Sequence, residues 1–329
     1  LAGRGLRVVP LVPIPGSDLR RKLRLPGWLL RHAWPIWREV RRADAVHAPI
    51  PGDVGTLGLL AALVLRKPLF VRHCGNWTAP KTTAERCWRW LLERIGGTRA
   101  VVLATGGAAA PPTPRNPHVQ WIFSTSLTER ELAACATPRH AGPRGPRLAI
   151  ACRQEEAKGT GVVIESLPLL AQRFPGVHFD VVGDGSALPR FRALAEARGV
   201  AERVTFHGKL GHDAVLAVLQ RADVFCFPTW SSEGFPKAVL EALACGLPVV
   251  TTDVSVLGQL VGAGGGVVIG APTPDEVARG VTRCVESAER YRAMSEAGVR
   301  TARGYSLERW RDTIGEALRR GWGPLRSHA

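Results

Sequence analysis

The chain lacks an uncharged apolar run long enough to cross a bilayer: the longest, Val54 to Leu65, falls well short of the ~20 residues a spanning helix needs. Leu1 to Val12 carries Arg4 and Arg7 without an apolar stretch and cleavage site behind them, so no secretion leader is expected. There is no Cys-x-x-Cys pair and no Cys/His cluster at zinc spacing. The seven cysteines (74, 87, 135, 152, 226, 245 and 284) are odd in number and scattered, the pattern of reduced, mostly buried thiols in a cytosolic protein. The stretch VGDGSAL supplies Gly183-x-Gly185 but no third glycine, which excludes a dinucleotide fingerprint. Asp-x-Asp is absent as well, so neither a metal nor a cofactor is expected.

What is present is positive charge, unevenly placed. The 329 residues carry a formal charge of +16 and are long enough for two domains of ordinary size. Up to Pro146, 22 Lys and Arg face 8 Asp and Glu; from Arg147 onward the counts are 22 and 20. Seven of the ten tryptophans also lie in the first part. Such an asymmetry suits a polyanionic partner, nucleic acid or an anionic membrane face. No nucleic-acid-binding motif accompanies the charge, so nucleic acid is not expected. Within Arg20 to Arg42, Leu25, Trp28, Leu29, Ala33, Ile36 and Val40 recur at helical spacing, with Pro26 and Pro35 expected to interrupt the helix. That segment suits either an anionic membrane surface or a core-facing helix with a solvated arginine face.

Two series of strands and helices follow each other. The first offers Leu6–Leu11, Ala45–Pro49, Leu69–His73, Ala100–Leu103 and Val119–Phe123 as short apolar strands, with helices around Val54–Arg66 and Thr82–Arg94. ATPRHAGPRGPR, Ala136 to Arg147, reads as a linker. The second series alternates strands at Leu148–Cys152, His178–Val182, Arg203–His207, Val224–Phe227 and Pro248–Thr251 with helices of ordinary length. Apolar runs of this length between helices predict α/β architecture, with parallel sheets covered on both faces. The expected organisation is a first domain over 1–140, a second over 141–304, and a closing helix in 305–329 that crosses back to the first. Ligands in such folds bind at the carboxyl ends of strands, here in the cleft between the domains.

The chemistry gathers in SSEGFPKAVLEALACGLPVV, Ser231 to Val250. Ser231, Ser232 and Gly234 form a loop whose backbone can approach a ligand closely. Pro236 suits the first helical turn, and Lys237 adds a positive charge where backbone N–H groups point outward; the site suits a phosphate. Glu233 and Glu241 flank that helix start without a basic partner nearby in sequence. Carboxylates that accept hydrogen bonds from sugar or ribose hydroxyls fit such a place; an ordinary loop carboxylate and a Glu241 paired to a distant arginine are the plain alternatives.

The run from Glu233 to Glu241 resembles the E-x7-E signature of the retaining glycosyltransferases of family 4, which have the GT-B architecture of two facing Rossmann-like domains. Arg153 and Lys158-Gly159 resemble that family's Gly-Arg-Leu and Lys-Gly elements, and VVGDG, Thr205-Phe206-His207-Gly208 and ADVFCFPTWSSEG come in its usual order. The likeness is strong over roughly 180 residues of the second domain and looser through ADAVHAP and KPLFVRHCGNW in the first. It implies that Arg153 and Lys158 clamp the diphosphate of a UDP- or GDP-sugar and that Glu233 holds sugar hydroxyls. Gly234, Phe235, Pro236 and Lys237 would contact sugar and phosphate through their backbone, and Glu241 would hold the ribose. His207, Gly208 and Lys209 would lie by the base, with Gly183 beside the nucleotide, and His73 would face the sugar from the acceptor side. The implied reaction is hexosyl transfer with retention, without a metal, to a glycan or lipid-linked acceptor.

Two departures from the family bear on this. LAGRGLRVVPLVP resembles the family's second strand, so its first strand and Gly-rich loop are expected to be missing. Cys74 replaces a more usual glycine, and IFSTSL, Ile122 to Leu127, replaces a usual Asn-Gly-Val-Asp turn; both are expected to tune the acceptor. The alternatives are a catalytically silent module that recruits a partner enzyme and a sugar-nucleotide 2-epimerase.

Overall fold

The computed structural model describes residues 7–12, 19–80, 82–97, 99–108, 110–135, 145–232 and 234–323. The first domain runs α1 (Leu19–Arg42), β1 (Val46–Ile50), α2 (Asp53–Val64), β2 (Leu69–His73), α3 (Thr83–Ile95), β3 (Ala100–Thr105), β4 (Val119–Ile122) and the connecting α4 (Glu129–Cys135), which packs Leu132 and Cys135 into the core of the second domain rather than the first. Its four strands form a parallel sheet in the order β1-β2-β3-β4. Thr82 starts α3 with a capping box, accepting from the Glu85 N–H while the Glu85 side chain accepts from the N–H of Thr82.

Two expectations for this domain change. Residues 7–12 form no strand. Side chains of α1 hold this stretch: Trp28 Nε1 donates to the Val12 carbonyl at 2.5 Å, and Glu39 pairs with the Arg7 side chain at 3.4 Å. The helix α1, in turn, runs unbroken through Pro26 and Pro35. Its buried face, with Ile36, Trp37 and Val40 in the core shared with α2 and β2, outweighs the hydrogen bonds that the two prolines forgo. Most of the expected linker, 136–144, lies outside the described residues.

The second domain runs β5 (Arg147–Ala151), α5 (Thr160–Arg173), β6 (His178–Val182), α6 (Leu188–Ala197), β7 (Val204–Gly208), α7 (His212–Leu219), β8 (Val224–Phe227), α8 (Lys237–Ala244), β9 (Val249–Thr252), α9 (Leu257–Gly262), β10 (Gly266–Ile269), α10 (Pro274–Val285) and α11 (Ala288–Arg303). Its six-stranded parallel sheet has the order β10-β9-β8-β5-β6-β7. β5, β8 and β9 are almost wholly buried, as strands covered by helices on both faces must be.

The last helix, α12 (Leu307–Trp322), is capped by Ser306, whose side chain accepts from the Arg309 N–H at 3.0 Å. It packs on the first sheet: Trp310, Ile314, Ala317, Leu318 and Trp322 cover Phe70, Val101, Leu103 and Ile122. Among the described residues no helix is long and apolar enough to cross a membrane.

Candidate functional site

The order of the second sheet reverses between β5 and β8, and a crevice opens outside the carboxyl ends of strands at such a point. The loop after β5 carries Arg153 and Lys158; the loop after β8 leads through Ser231 and Gly234 to α8. The two loops are stitched together. The Ala157 carbonyl accepts from Thr229 Oγ1 at 2.8 Å and from the Trp230 N–H at 3.1 Å. Gln154, fully buried, anchors the first loop by donating to the Val182 carbonyl at 2.9 Å and accepting from Thr160 Oγ1 at 2.8 Å.

A single turn of 3-10 helix, Glu156–Lys158, ends on Gly159 at φ 90°. A Cβ there would lie 2.5 Å from the Pro228 carbonyl oxygen, so only glycine lets the Lys158 turn settle against the end of β8. Lys158 is buried at this junction, whereas Arg153 stands exposed and pairs with Glu155 at 2.9 Å. Gly183 also has positive φ, and its Cβ would fall 1.8 Å from the Cys152 carbonyl oxygen. Contact between the ends of β5 and β6 is enough to require that glycine.

His207 binds Asp180 through Nε2 at 2.7 Å, and the same carboxylate pairs with Arg147. That bond ties the ring to β6, with Gly208 ending β7 and Lys209 just beyond it. Glu233 lies outside the described residues. Gly234 sits against the first domain, its hypothetical Cβ 3.8 Å from both the Gly75 carbonyl oxygen and Thr105 Cγ2. Phe235 packs between Phe123 and Tyr305 at centroid distances of 6.2 and 5.4 Å, Pro236 is buried, and Lys237 is exposed.

Glu241 is buried on α8, yet among the described residues no arginine pairs with it. Ser126 Oγ donates to its Oε1 at 2.6 Å, and His212 Nδ1 lies 3.6 Å from the same oxygen. Burial raises the Glu241 pKa, against the pull of Ser126, His212 and Lys237. His212 stands between two carboxylates, with Nε2 3.3 Å from Glu131. Ser126 comes from the IFSTSL stretch, so that departure from the family turn touches the second glutamate directly.

On the first-domain side, β2 ends in Arg72 and His73. His73 is buried edge-on to the Trp77 ring, at 5.1 Å between centroids. Burial pushes its pKa down to about 4, with Glu85 and the Gly75 backbone opposing, so the imidazole is neutral at physiological pH. Among the described residues the buried side-chain atoms Arg72 Nε, His73 Nδ1 and Asn76 Nδ2 make no hydrogen bond. Each such group costs ~1–3 kcal/mol, and Arg72 and Asn76 line the cavities between the domains, which suits a ligand rich in hydroxyls and oxyanions.

Two cavities lie where the domains meet. One of about 300 Å³ is lined by Arg72, Thr105, Ser124, Lys237 and Trp310 among others. A neighbour of about 100 Å³ is lined by Asn76, Trp77, Gly106, Trp121 and Gly234. A larger, open groove of about 620 Å³ follows α3 past Cys87, Trp88, Trp90 and Leu91; it is apolar and carries none of these groups. The sequence singles out none of Arg72, Asn76 and His212 as a site residue, and Ser126 only as part of the IFSTSL stretch. The one signal was an arginine inside the apolar strand LFVRH.

A sequence profile of the glycosyl transferases group 1 matches residues 143–301. The chain is 26% identical over 329 aligned residues to alpha-D-kanosaminyltransferase of Streptomyces kanamyceticus, covering 92% of this chain and 85% of that protein. It is 30% identical over 307 residues to phosphatidyl-myo-inositol mannosyltransferase of Mycobacterium tuberculosis, covering 88% of this chain and 77% of that protein. The crystal structure of Anabaena HepE in complex with UDP and glucose superposes with a TM-score of 0.71 at 18% identity, over 89% of this chain and 82% of that one. At that identity the likeness shows the fold, the two facing α/β domains of the GT-B architecture.

Proposed function

The chain belongs to the glycosyl transferases group 1 family, and from that premise we propose that it moves a hexosyl group from a UDP- or GDP-sugar to a glycan or lipid-linked acceptor, with retention of configuration and without a metal ion. The observation that carries this reading is the stitched pair of loops at the sheet's reversal point, which puts the buried Lys158 beside the strand end that leads into the E-x7-E helix. Breaking the anomeric bond leaves an oxocarbenium-like sugar and a diphosphate with growing negative charge. Lys158, Arg153 released from Glu155, and the N–H groups opening α8 are positioned to stabilise that charge. His73, neutral and with Nδ1 unspent, is suited to bonding a sugar hydroxyl rather than taking a proton. The leaving phosphate then accepts the acceptor's proton on the same face, and no separate base is assigned.

The support for an anionic membrane partner is the outer face of α1. Leu23, Gly27, Leu30 and Trp34 lie exposed along one stripe, with Arg24, Arg31 and Arg38 exposed beside it. Insertion of the stripe while arginines meet lipid phosphates describes peripheral binding, at about 1 kcal/mol for each arginine. The test of the catalytic reading is transfer or donor hydrolysis by the purified chain in EDTA. Lys158→Ala and Glu233→Ala are each expected to cut turnover by about a hundredfold or more, the size of a lost charge-stabilising contact. Nucleotide-sugar binding with no turnover under any acceptor would overturn it in favour of a silent module.

A further inference from the structure

The cations assigned to the donor all belong to the second domain; Arg72 does not. Alternation along β2 sends His73 toward Trp77 and Arg72 to the opposite face, where α12 lies. There its guanidinium sits over the Trp310 ring, 5.5 Å from the centroid, which fixes the side chain without neutralising it. Its Nε is buried and makes no hydrogen bond, and among the described residues Arg72 forms no ion pair. It lines the 300 Å³ cavity together with Lys237, and the hydroxyl residues Thr105 and Ser124 share that wall. No carboxylate among the described residues lines it.

We propose that this cavity is an acceptor subsite for a phosphate group, with Arg72 its specificity-determining residue. The donor count decides the ligand. A guanidinium, an ammonium and two hydroxyls offer more hydrogen bonds than the two oxygens of a carboxylate usually take up, whereas a phosphate has the oxygens and the charge for them. The same two cations repel an amine-bearing acceptor. The cavity borders the donor's own diphosphate, since Lys237 opens the helix whose N–H groups are assigned to that diphosphate above; Arg72, on the first domain, marks its acceptor side. This proposal rests on that reading of the cleft and deepens it by naming the acceptor's chemistry.

The test is thermal stability of the full chain, first saturated with UDP or GDP and then titrated with a phosphate ester. One arm uses sn-glycerol 3-phosphate, a soluble source; the other uses phosphatidylinositol in neutral detergent micelles, a lipid headgroup source. A second rise in Tm above the nucleotide-saturated value is expected in wild type. Arg72→Gln is expected to weaken that second binding about tenfold, as a charge-assisted contact requires, with Arg72→Lys intermediate and the nucleotide shift unchanged. Ser124→Ala, a gentler change, is expected to weaken it less. The arm with the tighter Arg72-dependent binding assigns the source. If the nucleotide itself gives no shift, the glycosyltransferase reading of the cleft fails. If the nucleotide binds and neither ester binds in an Arg72-dependent way, the subsite alone is overturned.

Discussion

Replacing Gly159 by alanine tests whether the Lys158 turn is held by a close backbone approach. At φ 90° an alanine pays the left-handed penalty of ~1–2 kcal/mol. Its Cβ would also meet the Pro228 oxygen at 2.5 Å, with the Pro228 carbonyl carbon and Cγ both at 2.8 Å. Two of those atoms are backbone, so the contact is relieved only by parting the turn from the end of β8. Overpacking of that kind costs ~1–3 kcal/mol, and the total is roughly 2–5 kcal/mol. For a domain of this size that lowers Tm by roughly 4–20 °C. The control is Gly199→Ala: φ is 66°, but nothing lies within 4 Å of its Cβ, so only the backbone penalty applies, roughly 2–8 °C. Calorimetry of both variants, with and without UDP, reads the difference. Gly159→Ala should lose more stability than Gly199→Ala and should lose the nucleotide-induced shift as well. Equal losses in the two variants, with the shift intact, would refute the reasoning.

Three further outcomes are expected. Because burial raises the Glu241 pKa, the carboxylate form costs stability as pH rises through that value; Glu241→Gln should therefore melt higher than wild type at pH 7 but no higher at pH 4, while binding nucleotide less well. His73 is depressed from 6.5 to about 4, so the unfolded chain takes up a proton that the folded one refuses, and stability should fall by roughly 3 kcal/mol as pH drops across that interval; His73→Gln should flatten that part of the stability profile in chemical denaturation. Leu30→Glu combined with Trp34→Glu should abolish sedimentation with anionic vesicles and leave turnover on a soluble acceptor unchanged, since both side chains are exposed on α1.

The second domain was legible because its strands are short, apolar and separated by punctuated helices, and because Glu233 to Glu241 with Lys158-Gly159 upstream is a specific combination. The first domain was less so, for two physical reasons. A strand pattern at Leu6–Leu11 has no force without a neighbour to pair with, and the stretch is tied to α1 instead, through the Arg7 side chain and the Val12 carbonyl just beyond it. Prolines at 26 and 35 argue against a helix only until a buried face supplies more than they remove. In the site, spacing revealed the residues that act along one stretch of chain. It could not reveal Ser126 meeting Glu241 across 115 positions, or His212 lodged between Glu131 and Glu241, since only the packing of residues 127–135 and α7 around the second domain's core brings them together.

The way α12 returns to the first sheet has a consequence for the order of events during synthesis. Phe70, Val101, Leu103 and Ile122 are made early, yet their cover is not translated until Trp310 to Trp322. One face of the early domain must wait, bare and adhesive, while the later one assembles on the ribosome. The N-terminal half is therefore the part of the nascent chain that most needs a chaperone, and a stop codon ahead of residue 307 would leave it sticky for good.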